Sequence, residues 1–298
     1  MPSGFMVVVG SATAIVLSPV VKPVEMRSEH GDVLAHVTAK VGPRHALLID
    51  PGKQDVDLAT RRALVAVERG TRLILVGGST DTPDDVVHAT CTGIQEALDL
   101  AAMAASQNPE GNEDQWHVPV VLFPGGAHAL SPAADGILFM MLMNSTEPRF
   151  LISEQVRGAP FIDQFGIDTV PTGYLVMAPG GEVGRVGKAD LVQANEPERV
   201  RANALTASMY GFHLLYLEAG SGAESPVNPD LIHAARGVEG LTVMVGGGLR
   251  DGDAVRRAVE AGADWVVTGT LIEETEDTTA LVQALDDVLS GLSVQSSS

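Results

Sequence analysis

Basic residues are scarce in this chain. Its 298 residues carry 19 Lys+Arg against 38 Asp+Glu, a formal net charge of −19, and only four of the bases are lysines (Lys22, Lys40, Lys53 and Lys188). A surface this acidic repels a phosphate backbone, whose neutralisation needs clustered cations, so nucleic acid is excluded as a partner. Such a surface also repels itself at low salt and is relieved by concentrated salt. The composition therefore points to a halophilic protein, with an ordinary acidic enzyme as the alternative. Cysteine is nearly absent: Cys91 stands alone, so no intramolecular disulfide forms and a reducing, cytoplasmic setting is expected. The one long apolar stretch, Phe5 to Val21, is broken by Gly10, Ser11, Thr13, Ser18 and Pro19 and has no preceding Lys or Arg. It lacks the positive flank of a signal peptide and the length of a spanning helix, and reads as an N-terminal extension. The eight histidines show no HxxxH or HxxEH spacing, and no serine sits in G-x-S-x-G. Zinc chemistry and acyl-enzyme chemistry are thereby disfavoured.

What is present is a rhythm. From residue 45 onward eight short apolar runs recur: Ala46–Asp50, Leu73–Val76, Pro119–Phe123, Ile137–Met143, Tyr174–Met177, His213–Leu217, Thr242–Val245 and Trp265–Val267. They lack polar alternation, as strands buried on both faces of a parallel sheet do. Helical patterns fall between them, at about 55–70, 83–105, 149–158, 196–211, 228–237, 252–262 and 276–291. Proline and acids open two of these, in Pro83-Asp84-Asp85 and Glu196-Pro197-Glu198. Eight strands with intervening helices in this length predict an α/β fold, a (β/α)8 TIM-like barrel over 45–292. Residues 1–44 read as the extension and 293–298 as a flexible tail. An open doubly wound sheet competes, but it places its glycine-rich turn after the first strand. Here the glycine clusters follow strands two, six, seven and eight.

Three of those clusters carry chemistry. They are Tyr216-Leu217-Glu218-Ala219-Gly220-Ser221-Gly222, Gly246-Gly247-Gly248 and Gly269-Thr270. Glycines at successive strand-to-helix turns let backbone N–H groups approach an anion, and the loops after strands seven and eight form the usual phosphate site of such barrels. A phosphorylated ligand is expected there. At the first two strand ends, Asp50 and Ser79 would bring a carboxylate and a hydroxyl together. That pair suits Mg²⁺, which takes its remaining oxygens from water and substrate phosphates; an Asp capping the turn before Pro51 is the plainer alternative. His128 and His213 read as loop and core residues. Glu273-Glu274-Thr275-Glu276-Asp277 reads as a solvated helix start, and Asn144-Ser145 as a strand end able to face ligand.

Taken together, Leu48-Ile49-Asp50-Pro51, Val76-Gly77-Gly78-Ser79, Phe123-Pro124-Gly125, Phe139 through Ser145, Tyr216 through Gly222, Val245 through Gly248 and Gly269-Thr270 resemble the geranylgeranylglyceryl phosphate synthase family. These are prenyltransferases that make the first ether bond of archaeal membrane lipids. The resemblance implies a modified TIM barrel, sn-glycerol 1-phosphate and geranylgeranyl diphosphate as substrates, and Mg²⁺ on the diphosphate. By position it makes Asp50 and Ser79 metal ligands and assigns the glycerol phosphate to Tyr216–Gly222, Gly247-Gly248 and Gly269-Thr270. Glu218 becomes the candidate to accept the hydroxyl proton, or else a residue that only orients substrate. Gly52 departs from a second Asp found in many relatives. Phe139, Met141, Met143 and Tyr174 are candidates for a prenyl groove by residue type. Another prenyl chain length, a different phosphate-binding isomerase or synthase on the same barrel, and a catalytically silent assembly subunit remain as rival readings. A homo-oligomer and transient, apolar contact with a membrane are also expected.

Overall fold

The computed structural model describes residues 32–78, 82–275 and 277–293. Eight parallel strands close into a barrel in chain order: β1 (Arg44–Ile49), β2 (Leu73–Gly77), β3 (Val120–Phe123), β4 (Gly136–Leu142), β5 (Asp168–Val176), β6 (Leu214–Glu218), β7 (Thr242–Gly246) and β8 (Trp265–Thr268). Closure is made by β8 against β1, with Ala46 opposite Val267. Each expected strand is present. The largest difference is β5, which starts at Asp168 rather than Tyr174, because Pro171 and Gly173 read as turn residues in isolation. In the barrel wall the Pro171 carbonyl accepts from the His213 N–H. His213 itself is exposed at the entrance to β6, not in the core. It ends the turn from the preceding helix, where the strand has not yet entered the packed layer.

Strand alternation divides the core. Ala46, Leu75, Phe123, Tyr174, Tyr216, Met244 and Val267 fill the barrel interior. The neighbours of these residues, such as Leu47, Val76, Leu217 and Val266, pack under the surrounding helices. Those helices are α2 (Val56–Arg69), α3 (Asp84–Ser106), α4 (Glu154–Phe165), α6 (Pro197–Met209), α7 (Pro229–Ala235), α8 (Gly252–Ala261) and α10 (Thr278–Ser290), with short α5 (Gly181–Val186) and α9 (Thr270–Glu273) on loops at the C-terminal strand ends. Asp55, Asp251 and Asp277 cap α2, α8 and α10 by accepting from the third following backbone N–H, which satisfies donors the helix leaves open. Residues 124–135, between β3 and β4, form no helix. That gap leaves β4 uncovered on one side.

The barrel floor revises the expected domain boundary. Helix α1 (Val33–Thr38) lies within the stretch read as an extension, yet Val33 and Val37 are buried in the interior core. Six residues give no periodic signal and would not hold a helix alone. Here Asp32 caps the start, the Trp265 indole N–H donates to the Val37 carbonyl at 2.8 Å, and the Arg44 guanidinium donates to the carbonyls of His36, Val37 and Ala39. Arg44 also lies over the Trp265 ring at 4.0 Å. The folded unit therefore begins by residue 32. Truncating Val37 to Ala is expected to lower unfolding free energy by about 1.5 kcal/mol, the burial of two methylene equivalents. Urea denaturation reads this directly, and an unchanged midpoint would show that α1 contributes nothing to the floor.

Candidate active site

The C-terminal strand ends open into a cavity of about 730 Å³. Its polar part is built on β6. Because side chains alternate, Tyr216 and Glu218 face inward while Leu217 and Ala219 pack in the helix layer. Glu218 is almost fully buried. The Gly220 N–H donates to its Oε1 at 2.6 Å, the Tyr174 hydroxyl donates to Oε2 at 3.2 Å, and the Tyr216 hydroxyl is a further partner. Burial pushes the Glu218 carboxyl above its ordinary range, and the three donors offset only part of that push. Burial and the neighbouring Glu218 charge hold both tyrosines far above the usual phenol range, so they stay protonated donors. Phe123, Tyr174 and Tyr216 form a closed aromatic triangle beneath, with ring centroids 5.1 to 5.7 Å apart. This packing leaves the tyrosine rings little freedom to turn away from the carboxylate.

Glycine is required beside Glu218. Gly247 has φ +80°, and a Cβ there would stand 2.5 Å from Glu218 Oε1 and 2.6 Å from the Gly220 carbonyl. Ser221 Oγ and Thr270 Oγ1 lie 3.3 Å apart and join the loops after β6 and β8. Ser221, Gly222, Gly247, Gly248, Gly269 and Thr270 all line the cavity with Tyr216 and Glu218. Three of the expected binding residues do not line it. Leu217 and Ala219 point into the helix layer, and the Ala219 N–H is bound to the Gly246 carbonyl. The Gly220 N–H is committed to Glu218; these three shape the loop and present no group to a ligand.

Across the same cavity Asp50 ends the interior row of β1. It is 3% exposed, and its Oδ1 accepts from the Gly52 N–H at 2.9 Å. The backbone of residue 78 passes so close that a Cβ there would be 2.5 Å from Asp50 Oδ2. Lys53 Nζ lies 3.7 Å from that oxygen and 2.9 Å from Glu273 Oε2. Burial pulls the Lys53 ammonium down, but Glu273 and Asp50 more than offset it, and Lys53 stays charged. Glu273 is thus tied into the rim rather than solvated. The next residue, Glu274, pairs with Arg250 at 3.0 Å. Ser79 and Glu276 lie outside the described residues. Among the described residues no three His, Cys, Asp or Glu converge as a metal cage. A single carboxylate at a cavity wall fits a hard cation that draws most of its oxygens from a diphosphate, the Mg²⁺ pattern, and does not fit zinc.

Most of the rest of the cavity is apolar, lined by Leu130, Ile137, Phe139, Phe150, Ile162 and Val186 alongside Arg149, Glu154, Gln155 and Glu182. It occupies the side of the barrel where the β3–β4 helix is missing. Of the four groove candidates, Phe139 and Tyr174 line the cavity. Met141 does not line it, and Met143 packs over Gly173 in the helix layer. The Asn144 amide is a clamp, donating to the Val176 and Asp190 carbonyls and accepting from the Val176 N–H, while Ser145 Oγ donates to the Gly187 carbonyl. Neither faces ligand. Glu154 went unnoticed in the sequence because nothing local marks it. It is buried, and it accepts from the Ala127 N–H at 2.7 Å and from Arg149 and Arg157, pinning the loop after β3 to α4. Burial alone would raise its pKa, but the Ala127 N–H and the two guanidinium groups outweigh this and hold it low.

Known proteins are similar to this chain in sequence and fold. The sequence profile of the PcrB family matches residues 38–289. The chain is 42% identical over 237 residues to geranylgeranylglyceryl phosphate synthase of Methanothrix thermoacetophila, spanning 79% of this chain and 86% of that protein. To the enzyme of the same name from Methanosarcina mazei it is 41% identical, over 84% of this chain and 94% of the relative. Among solved structures, (S)-3-O-geranylgeranylglyceryl phosphate synthase from Thermoplasma acidophilum, in complex with sn-glycerol-1-phosphate, superposes with TM-score 0.77 at 33% identity. That match covers 88% of this chain and 98% of the other. Likeness to thiamine phosphate pyrophosphorylase from Pyrococcus furiosus, with TM-score 0.51 at 12% identity over 84% of this chain and 95% of that one, concerns the fold alone.

Proposed function

This chain belongs to the PcrB family, and from that premise we propose that it joins geranylgeranyl diphosphate to sn-glycerol 1-phosphate, giving geranylgeranylglyceryl phosphate and pyrophosphate. The observation that carries this reading is the two-part cavity. A glycine-walled polar pocket around a buried carboxylate opens directly into an apolar arm, matching a phosphorylated triol on one side and an isoprenoid chain on the other.

The phosphate of the glycerol substrate sits against the loops of Ser221-Gly222, Gly247-Gly248 and Gly269-Thr270, where only glycine lets the backbone approach. Glu218 accepts the proton of the attacking hydroxyl as its oxygen bonds to the allylic carbon, and the bond from that carbon to the diphosphate breaks. The raised affinity of Glu218 for a proton suits it to that step, since a base matched to the working pH is the more effective one. Tyr174 and Tyr216 hold the carboxylate in place. Asp50 supplies the carboxylate for Mg²⁺, whose chemistry when bound is to neutralise the leaving pyrophosphate. Lys53, held by Glu273, adds positive charge at the same rim. The apolar arm excludes water from the allylic centre.

The protein works in the cytoplasm at high salt, a reading supported by the net charge of −19 with only four lysines. Among the described residues no helix is long and apolar enough to cross a membrane. Met209 and Tyr210, exposed at the end of α6, support a homo-oligomer. A transfer assay with radiolabelled sn-glycerol 1-phosphate, geranylgeranyl diphosphate and Mg²⁺, run at low and molar KCl, tests the whole reading. Label should enter the organic phase with the sn-1 substrate and metal, and not with the sn-3 enantiomer or EDTA. Folded protein that transfers nothing at either salt would overturn it.

A further inference from the structure

We propose that the face formed by residues 149–157 and 182–188 is the surface with which this protein docks on an anionic lipid bilayer, placing the apolar arm of its cavity against the membrane. The inference rests on the lipid-forming reading above and names the partner that reading leaves open.

Three observations carry it. First, this face is the outer wall of the apolar arm. Phe150, Val183 and Val186 line the cavity, while Ile152 and Val156, 53% and 64% exposed, stand one helical turn apart on the solvent side of the same segment. The two stretches are joined, since Thr146 N–H donates to the Lys188 carbonyl and Ser145 Oγ to the Gly187 carbonyl. Second, the local charge opposes that of the molecule. On a chain of −19, the two stretches hold Arg149, Arg157, Arg185 and Lys188 against Glu154 and Glu182. Including Glu147 at the edge still leaves four bases against three acids. One acid, Glu154, is buried beneath two arginines whose side chains are 55% and 67% exposed. Third, the other exposed apolar groups do not share this placement. Leu100 and Met103 on α3, and Met209 and Tyr210 at the end of α6, are exposed, but neither helix lines the cavity.

Apolar side chains interleaved with arginine and lysine form an interfacial lipid surface: the apolar groups enter the acyl boundary and the cations meet lipid phosphates. Elsewhere the acidic surface is repelled by an anionic bilayer, so at low ionic strength attraction confined to one face also orients the molecule, while at molar salt, where screening acts over about 3 Å, the apolar contact carries the binding.

The test is flotation of the full chain with phosphatidylglycerol or phosphatidylcholine vesicles, at about 0.1 M salt, where screening acts over about 10 Å. The protein should float with the anionic vesicles and several-fold less with the neutral ones. The double substitution Ile152→Ser, Val156→Ser should reduce the bound fraction about tenfold. Lys188→Glu should reduce it about fivefold or more on anionic vesicles only. Leu100→Ser, Met103→Ser on α3 should change nothing. None of these side chains lines the cavity, so transfer to water-soluble geranyl diphosphate should be unaltered in every variant. No flotation, equal flotation of Ile152→Ser, Val156→Ser and the parent, or a change in sedimenting mass on those substitutions, which would show the face occupied by a second copy, overturns the proposal. Vesicle binding is measured without substrate, so a failure of the transferase reading would show separately, as absent transfer by protein that still floats.

Discussion

Glu218→Gln is expected to lower kcat by about 10²- to 10⁴-fold, the range for loss of a positioned general base. The substitution spares the architecture. A glutamine oxygen still accepts from the Gly220 N–H, its amide nitrogen takes the place of Oε2 and donates to the Tyr174 hydroxyl oxygen, and a neutral amide avoids the burial that raises the Glu218 pKa. The pH profile gives the sharper reading. Since that pKa is raised, the acid limb of kcat/KM should fall above the ordinary glutamate value of about 4.3, and the limb should vanish in the variant. The stability linkage has the opposite sense. A carboxyl with a raised folded pKa contributes stability that is full below its unfolded pKa and is lost as pH rises through the folded one. The variant should therefore gain stability relative to the parent at neutral pH. A variant that keeps kcat within a few-fold, with its acid limb intact, would show that Glu218 only orients the glycerol.

Asp50→Asn should reduce kcat/KM by about 10²- to 10⁴-fold, corresponding to several kcal/mol of leaving-group stabilisation. It should also weaken the apparent affinity for Mg²⁺ measured by titrating the residual activity. Asparagine can retain the bond from the Gly52 N–H, and Lys53 keeps Glu273 as a partner, so the rim should hold its shape. Binding of sn-glycerol 1-phosphate, read by calorimetry without metal, should be unchanged, because that pocket is built on β6, β7 and β8. Parent activity that persists in EDTA, or a variant within a few-fold of the parent, would remove Asp50 and the metal from the reaction.

These two residues show how legible the site was. Each is a carboxylate that ends an interior strand row, Glu218 beside a glycine-rich turn and Asp50 before Pro51-Gly52, so type and position together mark them. Glycine clusters at Gly247 and Gly269 were readable for the same reason. Leu217 and Ala219 belong to the same contiguous motif, but a strand sends alternate side chains to opposite faces, and Gly220 turns its N–H to Glu218. Met141 and Met143 lie outside the cavity although they share a face of β4 with Phe139, which residue type alone does not distinguish. Glu154, the clamp at Asn144 and the Lys53–Glu273 pair left no local trace, since each bonds to residues that only the barrel brings near.

By itself the amino-acid order determined the eight buried apolar runs, their spacing, the turns that follow them and the acidity of the surface. Those features are local, set by side-chain type, β-branching and the conformational freedom of glycine, and they suffice for a barrel. Tertiary structure alone decided which side chains share the cavity, that α1 closes the floor, and that the gap between β3 and β4 becomes an apolar arm. The physical reason is the same throughout: burial, pKa and hydrogen-bond partnership belong to groups distant in sequence, and exist only once the barrel has closed.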